Sequence, residues 1–262
     1  MTTTLEFDQA TAKRMEAMYL GPDAVRRRRE VIALLAPRTG ERVLDVGCGP
    51  GFLSAEIGAI VGPTGHVEGI DTSDAMLAAA RARCAAQPWV AIHRGDAAHV
   101  ELPDATFDAV VAVQVHEYVP DVAGSLAHLF RVLRPGGRVL IVATDWDSIV
   151  WGTSDAQRMA LVLSAFEEHL FDPHLPRHLG PLLVSAGFWV ERCDVFVQLN
   201  STLGPDTFSH GLIDLIRRFV PGRRGVTSDD ADAWAEDLRE RGRHGKYFFS
   251  LNQYMFLASK PA

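Results

Sequence analysis

Cysteine is scarce in this chain. Its 262 residues include three, Cys48, Cys84 and Cys193. An odd number at wide spacing supplies neither a disulfide framework nor a set of zinc ligands, so no metal centre is expected and a reducing cytoplasm is the expected location. There is no run approaching the ~18 apolar residues of a membrane span, so no membrane partner is expected. The opening MTTTLEFDQA lacks a basic stretch leading into an apolar one, and no signal peptide is expected. Positive charge is in deficit too. A net charge of −7 and a pI of about 5.8 argue against nucleic acid as a partner. No internal repeat and no low-complexity tract is visible.

What remains is a composition of 47% hydrophobic and 23% charged residues, suited to a single globular domain with a sizeable core. Between residues 42 and 144 short β-rich runs alternate with helical patterns. The runs are RVLDV (42–46), HVEGI (66–70), VAIH (90–93), FDAVVAV (107–113) and RVLIVAT (138–144). Helical candidates lie near 51–61, 73–86 and 121–134, and the link between the third and fourth runs reads as loop. Nearly all-apolar strands alternating with helices predict a parallel sheet buried on both faces.

A helix is predicted from Gly21-Pro22-Asp23 to about Ala36, with proline in its first turn. Residues 155–170 and 176–186 read as helices, and 188–199 and 247–260 as closing strands. Between those strands an insertion of roughly fifty residues carries two amphipathic helices. The first places Phe208, Leu212, Leu215, Ile216 and Phe219 on one stripe. The second is expected to start with Ser228 as N-cap. The expected organisation is a helical lid over 1–39, a cofactor-binding core over 40–145 and a helical cap over 201–245. On helical geometry Arg28 shares the inward face of the first helix, whereas Arg26 and Arg27 point away. A buried arginine needs a partner, so Arg28 is a candidate for an anionic ligand group. Tyr19, just before it, is placed where a lid over that ligand would start.

The turn Gly47-Cys48-Gly49-Pro50-Gly51 demands a close approach of something to the backbone. A phosphate loop would end in Gly-Lys-Ser/Thr, but Phe52 and Leu53 follow. A dinucleotide fingerprint would need glycine where Phe52 stands, which disfavours NAD(P) and an NAD(P)-dependent reductase. A ligand with a ribose and an amino-acid moiety but no phosphate is the third option. Asp71, at the tip of the second strand, suits ribose hydroxyls, and Asp96 in RGDAAH suits an adenine amino group.

VLDVGCGPG, VEGIDTSDAML, RGDAAHVELPDATFDAVVAVQVHEYVPD and LRPGGRVLIV, in that order, resemble the successive motifs of class I S-adenosylmethionine-dependent methyltransferases. The resemblance is strongest to the small-molecule branch that includes ubiquinone and menaquinone C-methyltransferases, and covers about residues 40–145. It implies an α/β, Rossmann-like doubly wound sheet of seven strands with the last antiparallel, an N-terminal helical segment, and a helical cap before the last strand. It implies S-adenosyl-L-methionine as cofactor, with Gly47 and Gly49 at its methionine end, Asp71 and Thr72 near the ribose, Met76 beside the adenine, Asp96 and Ala97 at the adenine edge, and Gln114 beneath. The expected activity is methyl transfer to a small, partly apolar acceptor through oxygen or carbon, with nitrogen as a further option. A homodimer is compatible with this reading. The alternative is a protein of the same fold that binds the cofactor without turnover. Candidate bases lie after strands four and five: His116 first, then Asp145, with Glu117, Tyr118 and Asp147 nearby. Trp146 and Trp151 flank them, and His169 and His210 are further candidates from the cap side.

Overall fold

A computed structural model describes residue 16 and residues 18–262. The rest of the expected N-terminal lid, residues 1–15 and 17, lies outside the described residues. Helix α1 (Pro22–Leu35) has proline in its first turn and ends at Ala36, which is left-handed. The alternating elements of the core follow as β1 (Arg42–Val46), α2 (Phe52–Val61), β2 (His66–Asp71), α3 (Asp74–Cys84), β3 (Val90–Arg94), β4 (Phe107–Val113), α4 (Val122–Val132) and β5 (Leu133–Thr144). The link from β3 to β4 contains no helix, as its sequence predicts.

Beyond the core come β6 (Val150–Trp151), α5 (Ala156–Phe166), α6 (Pro176–Ser185), β7 (Trp189–Asn200), α7 (Phe208–Phe219), α8 (Ser228–Arg243) and β8 (Phe249–Ser259). Among the described residues these build an eight-stranded sheet in the order β3-β2-β1-β4-β5-β8, with β6 and β7 also on β8. β1 to β5 are mutually parallel, while β8 runs antiparallel to β5. The two-residue β6, which pairs with the start of β8, is too short to leave a periodic signal.

Two apolar layers enclose the sheet. One packs α4 and α6 residues such as Leu126, Leu129, Leu179 and Leu183 on one face. The other packs Val31 and Leu35 of α1, Ile57 and Val61 of α2 and Leu77 of α3 on the opposite face. A third cluster joins α5, α7 and α8 around Trp234, with Met159, Phe166, Ile216 and Leu238. That cluster gives the inserted pair its own core, and Leu212, Ile216 and Phe219 of the expected stripe are buried in it.

Two local expectations are corrected. Thr227, not Ser228, caps α8: its side chain accepts from the Asp230 backbone N–H, and the Asp230 carboxylate accepts from the Thr227 N–H. This reciprocal pair satisfies two otherwise orphaned donors, so the cap settles one residue earlier. Arg27 does not point away either. Arg27 and Arg28 are 4% and 7% exposed, because α1 is covered on two sides, by the sheet and by the start of α2.

Candidate functional site

Parallel strands bring their C-terminal ends to one edge, and the crevice lies outside that edge, where strand order reverses between β1 and β4. Gly47 and Gly49 turn the chain off β1 with φ of 65° and 53°. A Cβ on Gly47 would lie 2.3 Å from a Val115 methyl, so only glycine fits. Asp71 holds this turn from the next strand. Its carboxylate accepts from the Gly49 N–H at 2.9 Å and the Ser73 N–H at 2.8 Å. Asp96, after β3, accepts from the Ala98 N–H at 2.9 Å.

The crevice opens into a cavity of about 740 Å³. Nine of the ten residues proposed for the cofactor line it: Tyr19, Gly47, Gly49, Asp71, Thr72, Met76, Asp96, Ala97 and Gln114. Arg28 lines a small adjoining recess with Tyr19, Arg27 and Asp45. Its guanidinium bonds Glu56 at 2.8 Å and the Tyr19 carbonyl at 2.6 Å, and lies over the Phe52 ring.

Gln114 adopts a left-handed conformation, φ 55°, at the tip of β4. Its side-chain oxygen accepts from Arg27 and its amide donates to Thr144 Oγ1 at 3.0 Å. Neither Arg27, expected on the outward face of α1, nor Asp45 is among the candidate site residues of the sequence. Asp45 is 2% exposed and accepts from Ser54 Oγ at 2.6 Å, and burial raises its carboxyl to about 7. A carboxylate inside an otherwise apolar strand was the signal for it.

The far end of the cavity is made of rings and aliphatic side chains. Tyr118, Trp146, Phe166 and His169 meet Phe208, Leu212 and Leu215 of α7 there. The charged residues on the cavity wall, among those described, are Asp71, Asp74 and Asp96, all around the tips of β2 and β3.

The two leading candidate bases, His116 and Asp145, are placed elsewhere. His116 is 0% exposed and absent from the cavity wall. The helical turn His116–Tyr118 sends its ring inward to Ser125 Oγ at 3.2 Å, and burial lowers it to about 4. The same turn carries Tyr118 into the cavity. Asp145 is likewise off the wall. Burial would raise its carboxyl, but bonds from Arg177 at 2.8 Å and His174 at 3.2 Å hold it below the ordinary carboxylate range. Asp145, Asp147 and His174 sit close enough to hold a metal ion, yet Arg177 already bonds both carboxylates. Trp151 belongs to the α5/α7/α8 core, where its indole N–H donates to Tyr247. His210, near the start of α7, does not line the cavity.

Comparison with known proteins agrees with this architecture. Residues 44–141 match the family model described as a methyltransferase domain. A 37.1 kDa protein encoded in a Streptomyces fradiae transposon is 37% identical over 174 residues, 64% of this chain and 49% of that protein. The demethylmenaquinone methyltransferase of Symbiobacterium thermophilum is 38% identical over 115 residues, 43% of this chain and 46% of the enzyme. The chain thus spans about half the length of these relatives. Among solved structures, Haemonchus contortus phosphoethanolamine N-methyltransferase 2 with phosphomonomethylethanolamine and S-adenosylhomocysteine superposes with a TM-score of 0.64. It is 19% identical, covering 98% of this chain and 59% of that one, a likeness of fold. Over residues 44–141 the chain is thus similar to the methyltransferase domain family.

Proposed function

We propose that the protein transfers the methyl group of S-adenosylmethionine to a small, partly apolar acceptor. One observation carries the reading: a single cavity has a polar end at the strand tips and an apolar end under α7. At the first end the residues fit the cofactor. Asp71 and Asp96 are acceptors for ribose and adenine, and Met76, 2% exposed, offers an apolar surface beside them. The glycine turn leads into the N-terminus of α2, whose free N–H groups suit the cofactor carboxylate. Arg27 and Arg28 reinforce positive charge in the recess beside it.

At the other end the acceptor is held against the sulfonium. Direct displacement needs the nucleophile ~3–3.5 Å from the methyl carbon, in line, with water kept out. Phe208, Leu212 and Leu215 supply the water-excluding wall, which makes the inserted helical pair a cap over the acceptor. The helical lid over 1–39, the cofactor-binding core over 40–145 and the helical cap over 201–245 are part of the proposal. The cytoplasm as location and a homodimer remain parts of the proposal.

The test is binding followed by turnover. Calorimetry with S-adenosylhomocysteine should give saturable one-to-one binding. Labelled S-adenosylmethionine with a host extract should label a small organic product. Binding without any labelled product would favour a protein that holds the cofactor without turning it over.

A further inference from the structure

Behind the main cavity lies a second chamber. It measures about 360 Å³ and shares Tyr118 and His169 with the main cavity as a common wall. Glu167, Glu168 and Arg224 stand on its other walls. The Glu167 and Glu168 side chains are 24% and 34% exposed, so this chamber communicates with water.

His169 is 3% exposed and held on several sides by rings. It stacks on Phe166 at 4.0 Å and meets Trp146 at 5.3 Å and Tyr118 at 5.8 Å edge-on. Its Nδ1 is bonded to the Phe166 carbonyl. A carbonyl oxygen only accepts, so Nδ1 carries the hydrogen. Burial lowers the imidazole to about 4 despite that bond, so the ring is neutral at pH 7 and Nε2 keeps its lone pair. Nε2 has no hydrogen-bond partner among the described residues, and it is not one of the sealed side-chain atoms. His116 differs on the second count, since its unpartnered Nδ1 is fully enclosed.

Resting on the methyl-transfer reading above, we propose that His169 is the catalytic base for a neutral, planar phenolic acceptor, receiving its hydroxyl proton at Nε2 and releasing it into the outer chamber. The acceptor class follows from the wall. Tyr118, Trp146, Phe166 and Phe208 offer ring surfaces to a flat body. No described residue at that end carries a charge, so an ammonium group would lack a counter-ion there. A lone pair on Nε2 selects a donor, which a phenolic O–H supplies.

The step balances. The O–H bond breaks, and the oxygen pair forms a bond to the methyl carbon. The sulfur–methyl bond breaks and returns its pair to sulfur, leaving S-adenosylhomocysteine. The proton rests on Nε2. A positive charge disappears at the sulfonium as one arises on the imidazole, so the net charge of the buried site is unchanged. That exchange offsets the burial that otherwise disfavours an imidazolium. Water in the outer chamber, beside Glu167 and Glu168, then takes the proton away.

The test is a pair of phenols of different acidity, catechol and 4-nitrocatechol, with wild type and His169→Gln. Wild type should methylate both. His169→Gln should lower the rate with catechol ~10²-fold or more, the usual worth of a general base. With 4-nitrocatechol, largely ionised near neutral pH, the loss should stay within a few-fold, because no proton remains to be removed. Affinity for S-adenosylhomocysteine should be unchanged by calorimetry. Equal losses with both phenols would make His169 structural and overturn the proposal, as would an unimpaired variant. A wild type that binds S-adenosylhomocysteine but methylates neither phenol would overturn the acceptor class. Failure to bind S-adenosylhomocysteine would instead strike the methyl-transfer reading beneath it.

Discussion

The two ends of the cavity are built in opposite ways. The strand-tip end is made by the backbone: left-handed glycines after β1, and carboxylates at the end of β2 and just beyond β3 that bond nearby N–H groups. Most of its parts come from one run, residues 47–97, with Tyr19 and Gln114 added from outside it. The end under α7 is made by side chains from four separate places: Tyr118, Trp146, the Phe166–His169 turn and α7 itself. The backbone end admits few residue types at each position and leaves a readable string. The side-chain end accepts any residues of the right volume, so its lining became visible only when distant segments met.

Substitutions at four positions would break or sharpen that contrast. The largest effect is expected from Gly47→Val. A branched side chain there meets Val115 and cannot adopt φ 65° without strain. Calorimetry should detect no cofactor binding, with circular dichroism confirming a folded chain; binding within tenfold of wild type would refute the backbone account of this end. Asp71→Ala comes next. It removes an acceptor for ribose and also frees the Gly49 N–H that the carboxylate holds. Affinity for S-adenosylhomocysteine should fall roughly 10- to 10³-fold, since each charged hydrogen bond is worth ~1.5–3 kcal/mol. Asp71→Asn should lose less, because its amide oxygen can still hold Gly49.

Leu215→Glu tests the other end. A charge on that wall should lower transfer to the acceptor about tenfold or more, through KM as well as kcat, while cofactor affinity stays within about twofold. Equal damage to cofactor binding would show that the two ends are one site rather than two.

The smallest effect concerns Glu117, at the seam between them. Its carboxylate accepts from the Thr144 N–H at 2.8 Å, its other oxygen is sealed without a partner, and burial raises it to about 7 from 4.5. A raised acid favours the native state while protonated. Its stabilisation is complete below about 4.5 and is lost as pH climbs through about 7. Glu117→Gln, neutral throughout and still able to accept from Thr144, should therefore gain on wild type across that window. Thermal melts should differ by a few °C at pH 8, roughly the effect of ~1 kcal/mol on a domain of this size, and by much less at pH 4.5. A gap that does not change with pH would locate the effect in packing rather than charge.

These contrasts explain what the sequence disclosed. Strand order, the glycine turn, and the acidic residues at the ends of β2 and β3 were legible because each answers a local backbone requirement. Arg27 was misjudged because a helical wheel assumes one buried face, whereas α1 is covered on two sides and Arg27 reaches Gln114 at a strand tip. His116 drew attention for its chemistry and its place after β4. A single helical turn decided between it and Tyr118, and no pattern in HEY encodes that choice. Thr227 and Ser228 are both good caps, and the carboxylate of Asp230 settled which one was used.

The hairpin of β7 and β8 has one further consequence. The two strands stay paired from Trp189 opposite Ser259 to Asn200 opposite Phe249, and everything over the acceptor end from α7 to α8 hangs between those last two residues. The ladder already holds both ends of that stretch side by side, so its closure entropy is met whatever the stretch contains. Such a joint is a natural place for exchange. One helical pair could replace another, and with it the preference for one acceptor over another, while the register of β5 on β8 and the turn after β1 remain as they are.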